Sequence, residues 1–301
     1  MKAKKSGELD RVIKRINTIE KERPGHKEIL EFVKCIIREQ YKIKPLIKVE
    51  PVEINQETAE QQMREGFPLI DKKEIKLDMD SAATLFKKIC RALQRKKDEK
   101  IAVEAKRISQ ALRKKEIDIQ ELFKKTVDGD KGYIDSVIKK TGLNKWLLTF
   151  LAESSINTVL EAYADRIKGY VQASWGRNYC PVCGSEPVMG ELRSEGGVEG
   201  VRFLVCSSCS FKWRFDRLRC PFCSNEGDKK FRHFYIEKEK GAYRVEVCDG
   251  CKKYIKTIGT GLGKDTIPLV EDMATLHLDI LAQKEGYKRA GINILEMEKS
   301  G

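Results

Sequence analysis

NYCPVCGSEP at residues 178–187 and VRFLVCSSCSFKW at 201–213 are followed by LRCPFCSNEG at 218–227 and YRVEVCDGCKKYI at 243–255. These stretches hold four Cys-x-x-Cys pairs: Cys180/Cys183, Cys206/Cys209, Cys220/Cys223 and Cys248/Cys251, eight of the ten cysteines. Successive pairs are separated by 22, 10 and 24 residues, which groups them as two long loops joined by a short bridge. Two thiolates on a tight knuckle supply half a tetrahedron, and a second knuckle completes it at metal–sulfur distances of roughly 2.3 Å. The two loops also resemble each other: each opens on Cys-Pro-x-Cys, runs through an alternating strand into a second knuckle, and carries an aromatic beyond it, Trp213 or Tyr254. The offset is 40 residues between first knuckles and 42 between second ones, the period of a repeated small β unit. The repeat favours sequential pairing over a RING-like interleaved arrangement, with Cys180, Cys183, Cys206 and Cys209 around one metal ion and Cys220, Cys223, Cys248 and Cys251 around another. A unit of this size buries too little apolar surface to fold alone, so metal binding supplies folding energy.

Other readings of the cysteines fit less well. The opening MKAKKSGELDRV lacks the apolar run of a secretion signal, and no run approaches a membrane span. A reducing cytoplasm is the expected location, where eight structural disulfide cysteines are out of place. Four thiolates suit Zn2+ or a single rubredoxin-type iron equally. Cys90 falls on the apolar stripe Leu85, Phe86, Ile89, Leu93 and reads as buried, whereas Cys35 lies off the centre of its stripe and reads as a partly exposed thiol.

Residues 1–172 read as helices: a charged first segment ending at Pro24-Gly25, a helix over 29–41, an irregular stretch through 45–80, and helices at 81–97, 101–115, 118–126 and 132–140. A long helix follows from Asn144 as N-cap, and a last one is expected over 269–284 with Leu269, Met273, Leu276 and Ile280 inward. The predicted fold class is α+β, an N-terminal helical bundle followed by two rubredoxin/zinc-ribbon-like metal-binding β modules and a C-terminal helix. Domains are set at 1–172, 173–216, 217–260 and 261–301.

The net charge of +13 raises nucleic acid as a partner, but its distribution argues otherwise. Residues 1–172 carry 38 Lys/Arg against 28 Asp/Glu, and residues 173–301 carry 21 against 18. Two four-thiolate sites, each about −2 with a divalent ion, turn the metal region slightly negative. The bridge Lys212-Trp-Arg-Phe-Asp-Arg-Leu-Arg219 is the local exception, and Lys212, Arg214, Arg217 and Arg219 are candidate contacts for an acidic partner. Catalytic signatures are sparse. Gly259-Thr-Gly-Leu-Gly263 lacks the Gly-Lys-Ser/Thr of a phosphate loop and reads as a turn, and His26, His233 and His277 are scattered. A binding or assembly role is expected, not an enzyme.

Residues 179–187, Arg202-Phe-Leu-x-Cys206-x-x-Cys209 with Trp213, Arg217-Leu-Arg-Cys220-x-x-Cys223 and Glu246-Val-Cys248-Asp249-x-Cys251-x-x-Tyr254-Ile-Lys256 together resemble the formate dehydrogenase accessory protein family, FdhE. The likeness continues through Glu271-Asp-Met-Ala-Thr-Leu-x-Leu-Asp279 and Glu285-Gly-Tyr-Lys-Arg289, which a generic zinc ribbon would not contain. In residues 1–172 it rests on general build, with Phe67-Pro-Leu69 a local echo, and the family's terminal Asn-Pro-Phe is replaced here by Asn293-Ile294. The resemblance implies a cytoplasmic, non-catalytic factor needed for active formate dehydrogenase. It would engage the molybdenum- or tungsten-containing catalytic subunit and could adjust that subunit's redox state. The resemblance favours iron for the two sites, with zinc as the alternative. A zinc-ribbon nucleic-acid adaptor is the competing function.

Overall fold

The computed structural model describes residues 2–96, 98–227, 230–262 and 266–290. The chain's contacts separate it into two compact units; the first comprises residues up to 51 and 72–163, the second residues 52–71 and 164–293.

The first unit is helical: α1 (Lys2–Glu22), α2 (Lys27–Ile43), α4 (Met79–Leu93), α5 (Glu99–Arg113), α6 (Ile119–Asp128), α7 (Lys131–Thr141) and most of α8 (Lys145–Ile167), whose last four residues belong to the second unit. Its helix starts are set by side chains that accept the otherwise orphaned first-turn N–H groups. Asp78, Asp98, Asp118 and Asp130 cap α4 to α7 in turn, and Asn144 accepts from the Leu147 N–H at 2.8 Å, as its position in the sequence predicts. The core gathers Phe32 of α2 against Trp146 and Phe150 of α8, whose rings stack at 5.0 Å. Cys90 is buried as expected, and burial pushes its thiol up to about 12. Cys35 corrects the expectation of a partly exposed thiol: it is buried too, because the apolar face of α2 is wide enough to take in Leu30, Phe32, Val33, Cys35, Ile36 and Ile37.

The second unit contains α3 (Gln56–Glu65), in the stretch that reads as irregular. Its composition is almost wholly polar, and only Ala59 and Met63 are buried, so the periodic signal is too thin to see in sequence. The rest of the unit is built on one sheet. Strands β1 (Pro187–Glu195), β2 (Val198–Cys206) and β3 (Lys212–Arg214) form the first repeat; β4 (Phe231–Phe234), β5 (Tyr243–Cys248) and β6 (Lys253–Ile258) form the second. Within each repeat the neighbours are antiparallel. The β1–β2 connection is Gly196-Gly197 at φ +57° and +81°, the two left-handed positions that a tight hairpin turn requires.

The repeats join edge to edge, first strand of one to last strand of the other, giving the order β3-β2-β1-β6-β5-β4 with β1 and β6 parallel. At that seam Gly190 faces Thr257, and a Cβ on Gly190 would lie 2.5 Å from the Thr257 Oγ1, so only glycine fits there. Strand β7 (Lys288–Arg289) pairs in parallel with the start of β6.

The helix expected over 269–284 is two helices, α9 (Pro268–Ala274) and α10 (Leu276–Lys284), broken at Thr275. The break has an electrostatic cause. The Lys256 ammonium donates to the carbonyls of Asp272 (2.7 Å) and Thr275 (3.4 Å), while the Thr275 hydroxyl donates to the Glu271 carbonyl at 2.8 Å. The buried face shifts accordingly to Val270, Met273, Ala274, Leu278 and Ala282, and Ile280 is exposed. No helix among the described residues is long and apolar enough to cross a membrane. Asn293 and Ile294, which replace the family's terminal motif, lie outside the described residues, as does Gly263 of the glycine-rich turn.

Candidate metal centres

Each knuckle is the same local structure made four times. The residue after its second cysteine, Gly184, Ser210, Ser224 or Lys252, has φ between +56° and +72°. In three of the knuckles this residue's N–H returns to the carbonyl of the first cysteine: Gly184 to Cys180 (2.9 Å), Ser224 to Cys220 (3.1 Å) and Lys252 to Cys248 (2.9 Å). A left-handed residue there reverses the chain within four positions and turns both sulfurs to one side. Only Gly184 adopts that conformation without steric cost.

Pairing of knuckles then follows from the hairpins. In the first group the Cys180 and Cys209 sulfurs are 3.6 Å apart, Cys183 and Cys206 3.5 Å, and Cys183 and Cys209 3.6 Å. In the second, Cys220 and Cys251 are 3.8 Å apart and Cys223 and Cys248 3.6 Å. A tetrahedron with metal–sulfur bonds of roughly 2.3 Å has edges of about 3.8 Å, whereas a disulfide would bring sulfurs to about 2.0 Å. Both groups therefore fit a four-thiolate ion, and the eight cysteines divide as the sequential pairing predicts.

Hydrogen bonds from the backbone favour the thiolate form. The Val182 N–H points to Cys180 Sγ, the N–H groups of Ser208 and Cys209 to Cys206 Sγ, and the Phe222 N–H to Cys220 Sγ, each at 3.4 Å. In the first group the neighbouring sulfurs of Cys180, Cys206 and Cys209 lower the Cys183 pKa. Burial pushes the Cys180 thiol well above its ordinary range. Four adjacent thiols cannot all ionise unless a cation offsets their charge. Bound zinc would supply rigidity alone, and bound iron a one-electron centre.

The two groups differ in exposure. All four cysteines of the first are buried, whereas in the second Cys223 is exposed and Cys251 half-buried. Neither His233 nor His277 joins a group: His233 is exposed on the edge strand β4, and His277 contacts Glu239 at 3.0 Å.

The bridge behaves unevenly. Trp213 and Phe215 are buried. Lys212 is engaged by Glu191 at 2.6 Å, and Arg219 lies over the Phe215 ring at 4.6 Å and donates to the Gly176 carbonyl. Arg214 and Arg217 are exposed and have no carboxylate partner among the described residues. In the glycine-rich turn, the N–H of Gly259 bonds the Ala242 carbonyl and that of Gly261 the Gly241 carbonyl, so these amides are not free for a phosphate.

Two buried ionic clusters support the centres, and sequence reading singled out neither as a cluster. Arg202 of β2 and Glu246 of β5, both almost fully buried, meet at 2.5 Å across the seam between the repeats. Arg202 also donates to the carbonyls of Asp216 and Arg219, fixing the bridge. Behind β6, Lys256 pairs with Asp272 (2.8 Å) and Asp279 (2.6 Å), and Arg289 pairs with the same two carboxylates at 2.6 and 3.0 Å. Tyr254 donates to Asp279 at 2.7 Å. The signal was the period of the strands: Arg202, Glu246 and Lys256 are charged residues in strands whose both faces are buried.

Family comparison agrees with this geometry. Residues 179–217 match the model of the FdhE central domain and residues 218–295 that of the FdhE C-terminal domain. A protein of Aquifex aeolicus named Protein FdhE homolog is 33% identical over 156 residues, 52% of this chain and 54% of that protein. Protein FdhE of Escherichia coli is 35% identical over 132 residues, 43% of this chain and 42% of that one. The alignments thus span about half or less of these relatives. The crystal structure of the FdhE protein from Pseudomonas aeruginosa superposes with a TM-score of 0.69 at 20% identity, over 95% of this chain and 94% of that one, which shows a shared fold. Residues 179–295 thus match FdhE domains, and the chain shares the fold of an FdhE protein.

Proposed function

We propose that this protein is a cytoplasmic accessory factor for a formate dehydrogenase, acting by binding that enzyme's catalytic subunit and not by turning over a substrate. The observation that carries the proposal is the pair of four-cysteine groups fused into one sheet, in a chain whose residues 179–295, which hold all eight of these cysteines, match FdhE domains. Two knuckled centres on a continuous sheet give a stiff surface, and a stiff surface loses little conformational entropy on docking. The exposure of Cys223 supports the second centre as the one that would exchange an electron with a partner if it holds iron. Iron is the ion proposed, with zinc making the centres structural.

Deleting the gene tests the function. Formate oxidation in extracts should be lost while the catalytic subunit is still synthesised, and the subunit should be recovered with the tagged protein. Undiminished formate oxidation would refute the proposal. Recovery of nucleic acid in place of the subunit, falling steeply as salt rises, would favour the adaptor reading.

A further inference from the structure

A cavity of about 520 Å³ opens beside the bridge in the second unit, within the range of sites that take small ligands or a few side chains. Arg214, Arg217 and the buried Arg202 border it, with Phe215, Val198 and Glu199. Several features suit a carboxylate there. Arg214 and Arg217 project two guanidinium groups that no carboxylate neutralises among the described residues. Arg202 is engaged internally by Glu246 and by the Asp216 and Arg219 carbonyls, so the cations left for a ligand are Arg214 and Arg217. Gly200, at φ +72°, lets the Arg217 guanidinium lie against the backbone, since a Cβ at that position would stand 2.7 Å from Nη1. A planar fork held in this way is suited to bidentate carboxylate recognition.

The rim is apolar. Val198 and Leu218, the latter next to Arg217 in the chain, are each 58% exposed. Unpaired arginines flanked by exposed aliphatic side chains are the composition of a protein contact centre. A nucleic-acid backbone fits less well, because it brings no aliphatic side chain to cover the exposed Val198 and Leu218.

We infer that this cavity is a docking site for a protein segment that carries carboxylates beside apolar side chains. The inference rests on the accessory-factor reading for the identity of the partner, but the site's chemistry stands without it.

The test uses the full metal-loaded chain and a fluorescein-labelled decapeptide of alternating Glu and Leu, with a Lys/Leu peptide as control, followed by fluorescence anisotropy. The Glu/Leu peptide should bind and the Lys/Leu peptide should not. Arg214→Glu/Arg217→Glu should weaken binding by about tenfold or more with unchanged metal content. Glu199→Gln should strengthen it severalfold, a gain that misfolding cannot mimic. No binding by the wild-type protein, equal binding of the two peptides, or indifference to both sets of substitutions overturns the inference. Recovery of the formate dehydrogenase catalytic subunit on the same proteins separates the two claims. Equal recovery by wild-type and charge-reversed protein would remove the cavity while leaving the function. No recovery by wild-type protein, with peptide binding that follows the charges, would remove the function while leaving the cavity.

Discussion

Asp279 illustrates how residues that look dispensable in sequence carry the second unit. It is fully buried, accepts from Tyr254, and faces both Lys256 and Arg289. Asp279→Asn would leave those two cations with Asp272 as their only carboxylate. Unbalancing a buried charge cluster in this way costs about 3–5 kcal/mol. Denaturant unfolding of the metal-loaded protein, followed in the sheet unit, should register that loss; a change below about 1 kcal/mol would mean water relieves the cluster. The cysteines differ at the same scale. With metal removed by a chelator under reducing conditions, Cys223 and Cys251 should alkylate about tenfold or more faster than the buried cysteines of the first centre. Peptide mapping of the labelled thiols reads this directly, and uniform labelling would show that the sheet opens as soon as metal leaves.

At the scale of elements, the seam between β1 and β6 decides whether the two repeats act as one body. Gly190 allows the seam to close, and an added methyl there would press on Thr257. Gly190→Ala should therefore destabilise the unit by about 1–3 kcal/mol, the usual cost of overpacking. Thr257→Ala in the same chain should recover part of the loss by removing the hydroxyl and methyl that clash, and a thermal melt of the two variants checks it. Equal stability of Gly190→Ala and the wild-type protein would mean the seam is loose. The knuckles, the strand that enters the second knuckle of each repeat (β2 and β5) and the periodic helices α4 to α7 were legible in the sequence, because each depends on a few residues at fixed spacing. The seam was not, since parallel pairing of β1 with β6 joins residues more than sixty positions apart and leaves no local pattern. The break at Thr275 was hidden for a similar reason: its cause is the ammonium of Lys256, which sits on a strand in another part of the chain. Helix α3 was missed because ten mostly polar residues bury only two.

For the whole molecule, the division of the cysteines and the family resemblance came from the sequence, and the structure adds where the free charge of the bridge lies. Four cations looked alike in sequence; folding engages Lys212 and Arg219 internally and leaves Arg214 and Arg217 at the cavity. Everything else in the account depends on the two centres being filled, since the knuckles hold three left-handed non-glycine residues that metal coordination must stabilise. The most direct test is native mass spectrometry with elemental analysis of anaerobically purified protein. Wild-type chain should carry two metal ions, and Cys180→Ser/Cys183→Ser should carry one, retained by Cys220, Cys223, Cys248 and Cys251. A single ion in the wild-type chain, or four, would contradict two separate four-thiolate centres.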